Sequence, residues 1–363
     1  PAIAAVINIL VVDDSALVRK LLGRVFATQS DFQVAFARSA KEALDAVAVA
    51  VPDVVTLDVH MPDMDGLQCL DRIMLEHPCP VIMVSSMTAD GADATLEALR
   101  LGALDFVAKP AGAVSLRIDE LAPELIAKVR QAAGAKLRPS LRLRERVRHR
   151  ISSAPRARPA KVAAGHVTPA TGEGVVLVGT STGGPPALEA LLTRLPASFP
   201  WPVVVAQHMP ATFTGSLARR LDGICELTVI EAVAASELQP GHVYIGRGDA
   251  DVIVSRRKGR LVAMPAPAEV YPWHPSTDRL VRTALNQVDA SQLIGILMTG
   301  MGNDGAEAMT LLRSKGGRTI AEAEETAVVW GMPGELVKAG GADFVTPLPE
   351  IAAQLLKLVP ACR

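Results

Sequence analysis

The sequence predicts an α/β protein with two domains, each a doubly wound parallel sheet, and with an antiparallel hairpin in the second. Across the 363 residues, short apolar segments of strand length alternate with stretches of helical period. Such alternation is typical of parallel strands joined by right-handed helical crossovers. The length also exceeds one typical domain, and the composition changes after residue 133 and again at residue 174. We therefore predict domains at residues 1–133 and 174–363, joined by a linker at 134–173.

Five strand–helix pairs fill the first domain. The predicted strands are 7–12, 33–37, 54–58, 81–85 and 106–109, and the predicted helices are 15–28, 40–49, 67–76, 92–101 and 119–132. Charged side chains mark three strand ends. Asp13 and Asp14 follow the first strand, Asp58 ends the third and Lys109 ends the fifth. Because parallel strands place their carboxyl ends at one edge of the sheet, these groups should converge.

This convergence predicts a phosphoacceptor site. Three carboxylates repel one another unless a cation lies among them, and oxygen ligands suit Mg²⁺. The ammonium of Lys109 could hold an incoming phosphoryl oxygen. Taken singly, an aspartate at a strand end is usually a helix N-cap, and Lys109-Pro110 is usually a loop. Together and in this order, Asp13, Asp14, Asp58 and Lys109 are better explained by a phosphoacceptor site than by separate caps and loops.

Residues 7–133 resemble the receiver domain of two-component systems. The motifs that carry the resemblance are Asp13-Asp14, the loop Asp58-x-x-Met61-Pro62-x-Met64-Asp65-Gly66, the serines Ser85 and Ser86, and Lys109-Pro110. The resemblance implies a flavodoxin-like fold, phosphorylation of Asp58, and Mg²⁺ bound by Asp13, Asp14 and Asp58. It also implies that Lys109 contacts the phosphoryl group. The switch hydroxyl is assigned to Ser85, with the serine after it as an alternative.

The predicted linker is strongly basic. Between residues 136 and 161 it carries ten Lys and Arg residues and one acid, Glu145. Such a charge run usually indicates a solvated linker. A patch that binds RNA or a membrane surface is the alternative, but the run has no Phe, Tyr or Trp on which bases could stack.

Composition disfavours several classes of protein. The formal net charge is −1, so no global electrostatic attraction to nucleic acid or membrane is expected. No apolar segment reaches the roughly 20 residues of a membrane span. The cysteines follow no disulfide or metal-ligand pattern; they are Cys69, Cys79, Cys225 and Cys362. Since no signal segment is evident either, we expect a cytoplasmic protein without membrane insertion.

A glycine-rich turn opens the second domain. The predicted strand 175–178 runs into Gly179-Thr180-Ser181-Thr182-Gly183-Gly184-Pro185-Pro186, and a helix is predicted over 187–195. A serine on such a turn projects its hydroxyl from the sheet edge, as in a nucleophile elbow. Backbone amides at the helix start, that of Thr182 first, are candidate oxyanion donors. A phosphate- or dinucleotide-binding turn is the alternative, but neither the G-x-G-x-x-G register nor a P-loop is present.

Two further strand ends supply partners for Ser181. The strand 202–207 delivers His208, and the strand 293–298 leads to Asp304. Parallel strands would bring the three to one edge, where they would suit acyl transfer. The serine is the nucleophile, the histidine is general base and then acid, and the aspartate orients the imidazole. His274 is a second candidate base, ranked lower as a substrate-site or support residue because no obvious strand precedes it.

The second domain closely resembles the catalytic domain of the chemotaxis protein-glutamate methylesterase family, CheB. The motifs that carry the resemblance are Gly179-x-Ser181-Thr182-Gly183-Gly184, Gln207-His208-Met209-Pro210, His274-x-Ser276-x-Asp278, Leu297-x-Thr299-Gly300-Met301-Gly302-Asn303-Asp304-Gly305 and Gly331-Met332-Pro333. The resemblance implies a Rossmann-like parallel sheet and a triad of Ser181, His208 and Asp304. Backbone groups of Thr182 and Met301 are implied near the oxyanion.

The same resemblance implies the reaction and its partners. The substrates are γ-glutamyl methyl esters on the cytoplasmic helices of chemoreceptors, with deamidation of receptor glutamines as a second activity. The esterase step needs no cofactor, and a cognate chemotaxis histidine kinase is the phosphodonor. The unphosphorylated receiver is expected to cover the catalytic site until Asp58 is phosphorylated. The alternatives are a response regulator with a non-catalytic output such as nucleic-acid binding, a nucleotide-dependent reductase, and an esterase for a different protein methyl ester.

Overall fold

The structure is a computed structural model that describes residues 6–86, 88–109, 114–135 and 174–359. The chain divides into two units, residues 1–156 and 157–363, and each contains its own parallel sheet. These sheets, with the small antiparallel sheet of the second unit, confirm the predicted fold class. The linker predicted at 134–173 lies almost wholly outside the described residues, so its bounds stay a prediction.

Strands and helices alternate in the first unit. In chain order they are β1 (Ile7–Val12), α1 (Ala16–Ala27), β2 (Phe32–Ala37), α2 (Ala40–Val49), β3 (Val54–Asp58), α3 (Gly66–Glu76), β4 (Val81–Ser86), α4 (Ala89–Leu101), β5 (Asp105–Lys109) and α5 (Val114–Gly134). All strand pairs are parallel, in the order β2-β1-β3-β4-β5. This is the flavodoxin-like order, in which ligands bind beyond the carboxyl ends of the strands.

Short polar side chains begin the first four helices. Ser15, Ser39, Asp65 and Thr88 each accept a hydrogen bond from the backbone amide three residues later. These caps satisfy amides that have no acceptor within the helix. The cap at Thr88 explains why α4 begins at Ala89 and not at residue 92 as predicted.

The second unit is larger. Its elements are β6 (Val175–Thr180), α6 (Gly184–Leu192), β7 (Val203–Gln207), α7 (Ala211–Ile224), β8 (Thr228–Ala232), β9 (Ser236–Glu237), β10 (His242–Gly246), β11 (Asp251–Arg257), β12 (Arg260–Ala266), α8 (Thr277–Leu285), β13 (Leu293–Leu297), α9 (Ala306–Ser314), β14 (Arg318–Glu322), α10 (Met332–Lys338), β15 (Phe344–Thr346) and α11 (Leu348–Leu358). The parallel sheet has the order β15-β14-β13-β6-β7-β10-β8, and the antiparallel sheet has the order β11-β12-β9. The predicted hairpin is β11–β12, closed by Lys258 and Gly259.

Helix α6 differs from its predicted bounds. It begins at Gly184 and ends at Leu192, whereas the sequence predicts a helix over 187–195. Pro185 and Pro186 do not delay its start, because proline is tolerated in the first turn, where amides have no helical acceptor. The earlier start places the beginning of the helix directly after the Ser181 turn.

The central strand of the larger sheet explains where a site can form. β6 pairs with β7 on one side and with β13 on the other, and the chain leaves β6 toward one edge of the sheet and leaves β13 toward the other edge. Open α/β sheets bind ligands at such a switch point, beyond the carboxyl ends of the strands. Among the described residues, no helix has both the length and the apolar composition needed to cross a membrane.

Candidate functional site

An acidic cluster lies at the carboxyl edge of the first sheet. Carboxylate oxygens of Asp13, Asp14 and Asp58 lie within 4.8 Å of one another, with Asp13 and Asp58 buried and Asp14 exposed. The ammonium of Lys109 lies 3.0 Å from Asp13 Oδ2 and 2.8 Å from Asp58 Oδ2. Lys109 therefore partly offsets the charge of two of the three carboxylates. The remaining negative charge and the all-oxygen donor set fit a bound Mg²⁺.

Burial and neighbouring charges set the ionisation of this cluster. Burial raises the pKa of Asp13, and the Asp58 carboxylate adds to the rise, while Lys109 opposes it. Burial by itself would lower the pKa of Lys109, but Asp58 and Asp13 outweigh it, and the pKa is raised. Lys109 therefore stays protonated and can bind an anionic oxygen.

Both candidate switch hydroxyls lie at the end of β4. Ser85 is buried, and its Oγ donates to the carbonyl of Gly91 in the first turn of α4, at 3.1 Å. The hydroxyl of Thr95 donates to the same carbonyl at 2.7 Å, so that carbonyl keeps a donor if Ser85 turns away. Ser86 is half-buried, with its Oγ 3.1 Å from that of Thr88. The bond from Ser85 to α4 suits a switch, and its assignment stays a prediction.

A second site forms where β6, β7 and β13 end. Thr180 pairs with Gln207 across β6 and β7, so Ser181 and His208, the next residue after each strand, lie side by side. The side-chain amide of Gln207 donates to the backbone carbonyls of both, at 3.0 Å each. Gln207 is buried and accepts a hydrogen bond from the Thr180 hydroxyl. This glutamine fixes the predicted nucleophile and base relative to each other.

Asp304 contacts His208 directly, with Oδ2 2.8 Å from His208 Nε2. Its carboxylate also accepts the backbone amides of Thr277 and Asp278, at 2.6 and 3.0 Å, and the hydroxyl of Ser276 at 3.0 Å. Ser276 is the N-cap of α8, where the helix dipole favours a negative charge. Burial would raise the pKa of Asp304, but the bonds from His208 and the two amides outweigh it, and the pKa is lowered. Asp304 is therefore an ionised acceptor.

The bond to Asp304 gives each nitrogen of His208 a role. Because a carboxylate only accepts, Nε2 carries the proton and Nδ1 carries the lone pair. Nδ1 is buried and has no hydrogen-bond partner in the described part of the chain. The indole of Trp273 stacks on the imidazole, with ring centroids 6.0 Å apart and planes 7° from parallel. Nδ1 is thus the nitrogen available to the Ser181 hydroxyl.

The loop after β13 passes beside the serine turn. The amide of Ser181 donates to the Thr299 carbonyl at 3.0 Å, and the Thr299 hydroxyl donates to the Thr182 carbonyl at 2.8 Å. Gly183 closes the turn with a φ of +76°, and a Cβ there would lie 2.8 Å from Val328 Cβ, so only glycine fits. Within the described ranges, no acceptor binds the Met301 amide. The oxyanion roles of Thr182 and Met301 stay predictions.

His274 belongs to a second histidine–aspartate pair. Its Nδ1 lies 2.9 Å from Asp251 Oδ1, which also accepts the Ser276 amide at 2.8 Å. Arg279 contacts the other carboxylate oxygen at 2.7 Å. Ser276 joins the two pairs, because its hydroxyl binds Asp304 and its amide binds Asp251. The role of His274 as a support residue stays a prediction, and the sequence analysis did not identify Asp251, which begins β11 in no recognisable motif.

Glu322 is another acid near this edge that sequence reasoning assigned no role. It ends β14 and is fully buried, and its carboxylate accepts the Thr299 amide at 2.8 Å and the Thr326 hydroxyl at 3.0 Å. No Lys or Arg of residues 174–359 forms an ion pair with it. Burial raises the pKa of Glu322 to about 7, although both hydrogen bonds oppose the rise. The carboxyl therefore gains a proton near neutral pH.

This pKa predicts a pH-dependent contribution to stability. The folded protein binds a proton at Glu322 more tightly than the unfolded chain does, so the free energy of unfolding should fall as pH rises from about 4.5 to about 7. Glu322→Gln should remove that part of the fall, up to about 3 kcal/mol. Thermal melts across this range would measure it, with the exposed Glu324→Gln as the control. If the free energy of unfolding fell as steeply with pH in Glu322→Gln as in wild type, the prediction would be contradicted.

Comparisons with known proteins match both units. The CheB methylesterase family model matches residues 176–355, and the response regulator receiver domain model matches residues 9–118. Protein-glutamate methylesterase/protein-glutamine glutaminase 2 of Rhodopseudomonas palustris (strain BisB18) is 57% identical over 359 residues, covering 97% of this chain and 98% of that protein. The corresponding protein 3 of Rhodospirillum rubrum is 52% identical over 351 residues, covering 96% and 95%. The crystal structure of the Thermotoga maritima CheB methylesterase catalytic domain is 39% identical with a TM-score of 0.50, covering 52% of this chain and 100% of that one.

Proposed function

The chain belongs to the CheB methylesterase family and carries a response regulator receiver domain ahead of its catalytic domain, and we propose that Ser181, His208 and Asp304 catalyse its reaction. The protein is a phosphorylation-regulated chemotaxis hydrolase of protein-glutamate methyl esters, with protein-glutamine glutaminase activity. One observation supports the triad most strongly. His208 Nε2 is bonded to Asp304, which leaves Nδ1 buried and without a partner among the described residues, on the strand end next to that of Ser181.

In the proposed mechanism, His208 Nδ1 takes the hydroxyl proton of Ser181 while Oγ attacks the ester carbonyl carbon. The tetrahedral intermediate breaks its bond to the methoxy oxygen, and the imidazolium protonates that oxygen to release methanol. Water, deprotonated by the same nitrogen, then attacks the acyl-enzyme. The glutamate carboxylate leaves, and the serine hydroxyl is restored. A glutamine side chain would follow the same path with ammonia as the leaving group.

Asp304 stabilises the imidazolium that forms in each half-reaction. The carboxylate keeps the proton on Nε2, and the two α8 amides and the Ser276 hydroxyl hold the carboxylate in place. The amides of Thr182 and Met301 would bind the oxygen that becomes negative in the tetrahedral intermediate. His274 would act through Asp251 and Ser276 as a positioning residue.

We propose that Asp58 accepts its phosphoryl group from a cognate chemotaxis histidine kinase. Asp13, Asp14 and Asp58 would hold Mg²⁺, which supplies charge neutralisation for the phosphoryl oxygens. Lys109, held charged by the same carboxylates, would bind one phosphoryl oxygen. The substrates proposed for the catalytic unit are methylated chemoreceptor cytoplasmic domains, and we propose a cytoplasmic location because the substrates lie there.

The two adjacent serines give a paired test of the switch. Ser85→Ala should still be phosphorylated but should lose most stimulation of esterase activity, because the hydroxyl that links β4 to α4 is gone. Ser86→Ala should keep the stimulation. Methanol release with and without a small-molecule phosphodonor would measure both variants. Loss of stimulation in Ser86→Ala alone would reassign the switch to Ser86.

A non-catalytic output is not favoured, because relatives that cover 97% and 96% of the chain are named as enzymes. The proposed reaction is tested by incubating the full-length protein with methylated chemoreceptor membranes and measuring methanol, and with glutamine-bearing receptors and measuring ammonia. We expect both products. Hydrolysis of a small aryl ester without methanol release would mean that the site acts on another ester.

A further inference from the structure

Glu322 is connected to the catalytic turn through a single residue, Thr299. The Thr299 amide donates to the Glu322 carboxylate at 2.8 Å. The Thr299 carbonyl accepts the Ser181 amide at 3.0 Å, and the Thr299 hydroxyl donates to the Thr182 carbonyl at 2.8 Å. Of these three groups of Thr299, only the amide is bonded to a side chain from β14.

The second partner of Glu322 lets it hold Thr299 in either protonation state. The Thr326 hydroxyl donates to the carboxylate at 3.0 Å, lies 3.3 Å from the Ala323 carbonyl and accepts the Leu348 amide at 2.9 Å. If the carboxyl is protonated, it can donate to Thr326, which then donates to Ala323. The other carboxyl oxygen still accepts the Thr299 amide. The bond to Thr299 therefore survives a change of charge.

The segment 323–330, which follows β14, also holds the backbone of Gly300, the residue after Thr299. The Gly300 amide donates to the Val329 carbonyl at 3.0 Å, and the Val329 amide donates to the Thr299 hydroxyl at 3.0 Å. The Trp330 indole donates to the Glu322 carbonyl at 2.8 Å, which ties the segment 323–330 back to the end of β14. The backbone that leads to Met301 is therefore held from one side by a network centred on Glu322.

We propose that Glu322 is a positioning residue for the esterase reaction, which fixes Thr299 and so sets the Ser181 turn and the Met301 amide in register with each other. This inference rests on the proposed function of Ser181. Glu322 is buried behind the loop and touches no reacting atom. Without an acceptor, the Thr299 amide would be buried and unsatisfied, so the loop would shift to find a partner. Small displacements of catalytic groups lower rates strongly.

The test compares three substitutions at Glu322 in the full-length protein. Glu322→Leu removes the side-chain oxygen that accepts the Thr299 amide, and Glu322→Asp moves that oxygen away because its side chain is shorter by one methylene. Glu322→Gln keeps the acceptor, because a glutamine oxygen can accept the Thr299 amide while its NH₂ donates to Thr326. Thr319→Val is the matched control. Thr319 is equally buried on β14, and its hydroxyl donates to the Gly341 carbonyl at 2.6 Å, remote from the loop.

Two assays read out the effect, namely methanol release from methylated receptor membranes and Ser181-dependent turnover of p-nitrophenyl acetate. We expect Glu322→Leu and Glu322→Asp to lower kcat roughly 10- to 100-fold with little change in KM, and Glu322→Gln to restore it. Thr319→Val should destabilise the fold with kcat within about twofold of wild type. If Glu322→Leu does not fold, the shorter aspartate decides the result.

The proposal would be overturned if Glu322→Leu or Glu322→Asp folded and had the same kcat as Thr319→Val. It would also be overturned if the kcat of Glu322→Gln were no higher than that of Glu322→Leu. If wild type hydrolysed p-nitrophenyl acetate through Ser181 but released no methanol, only the substrate assignment would be overturned. The role of Glu322 would then be tested by the kcat of its variants on p-nitrophenyl acetate. Wild type without Ser181-dependent activity on either substrate would overturn both.

Discussion

Replacing Ser181 with alanine should lower methyl ester turnover by at least about 10⁴-fold, because no other group can form the acyl-enzyme. The fold should be unaffected. The backbone of Ser181 makes the contacts that hold the turn, to Thr299, Gln207 and Gly184, and alanine keeps all of them. Methanol release from methylated receptors, measured beside a thermal melt, would separate loss of chemistry from loss of stability.

Ser216→Ala is the matched control for this substitution. Ser216 is buried on α7, and its hydroxyl accepts a hydrogen bond from Arg219 at 2.8 Å, away from the site. It should lose some stability and no more than about twofold in turnover. If the Ser181 variant kept the turnover of the Ser216 variant, the nucleophile would have to be assigned to another residue.

Replacing Asp304 with asparagine should lower turnover by about 10³- to 10⁴-fold, even though the two side chains have the same shape. All four groups that contact the Asp304 carboxylate donate to it. An asparagine NH₂ turned toward His208 would make Nε2 the acceptor and place the imidazole proton on Nδ1. The lone pair that takes the Ser181 proton would then be lost. The assay is kcat as a function of pH.

Asp278→Asn controls for the loss of a half-buried carboxylate close to Asp304. Burial raises the pKa of Asp278, and its carboxylate accepts the Ala308 amide at 2.8 Å without contact to His208. We expect its turnover to stay within a few-fold of wild type. Equal losses in the two variants would mean that Asp304 acts only through stability and not through the imidazole tautomer.

The fold and the grouping of the proposed triad could be predicted from the sequence because parallel sheets obey a simple rule. Buried apolar strands are recognisable in sequence, and their carboxyl ends share one edge. Ser181, His208 and Asp304 each follow such a strand, so topology alone brings them together. The same rule placed Asp13, Asp58 and Lys109 at one edge of the first sheet.

The contacts of Asp251 and Glu322 could not be predicted from the sequence, because the rule for strand ends does not cover them. Asp251 begins a strand of the antiparallel sheet and reaches the site only through the chain segment before α8. Glu322 lies at the end of a strand, close to the proposed catalytic residues, but nothing in the local sequence shows that its carboxylate turns toward the Thr299 amide. Contacts of this kind depend on loop paths between elements, which local propensity and periodicity do not specify.

Helix starts were also set by chemistry that period alone does not reveal. The Thr88 cap extends α4 toward β4 and brings the Gly91 carbonyl within reach of Ser85. The start of α6 at Gly184 places its first turn beside the serine. In both places the apolar pattern predicts the helix, but a polar or glycine residue determines where the helix begins. The first turn, which the apolar pattern does not predict, is the part close to the site.

The most direct test of a phosphorylation-regulated methylesterase is methanol release by the full-length protein from methylated chemoreceptor membranes, with and without Mg²⁺ and a small-molecule phosphodonor. Wild type, Ser181→Ala and Asp58→Asn would be compared. We expect methanol release that the phosphodonor stimulates in wild type, that stays at the basal rate in Asp58→Asn, and that is absent in Ser181→Ala although its receiver is still phosphorylated. No release by phosphorylated wild type, or equal release by Ser181→Ala, would contradict this expectation.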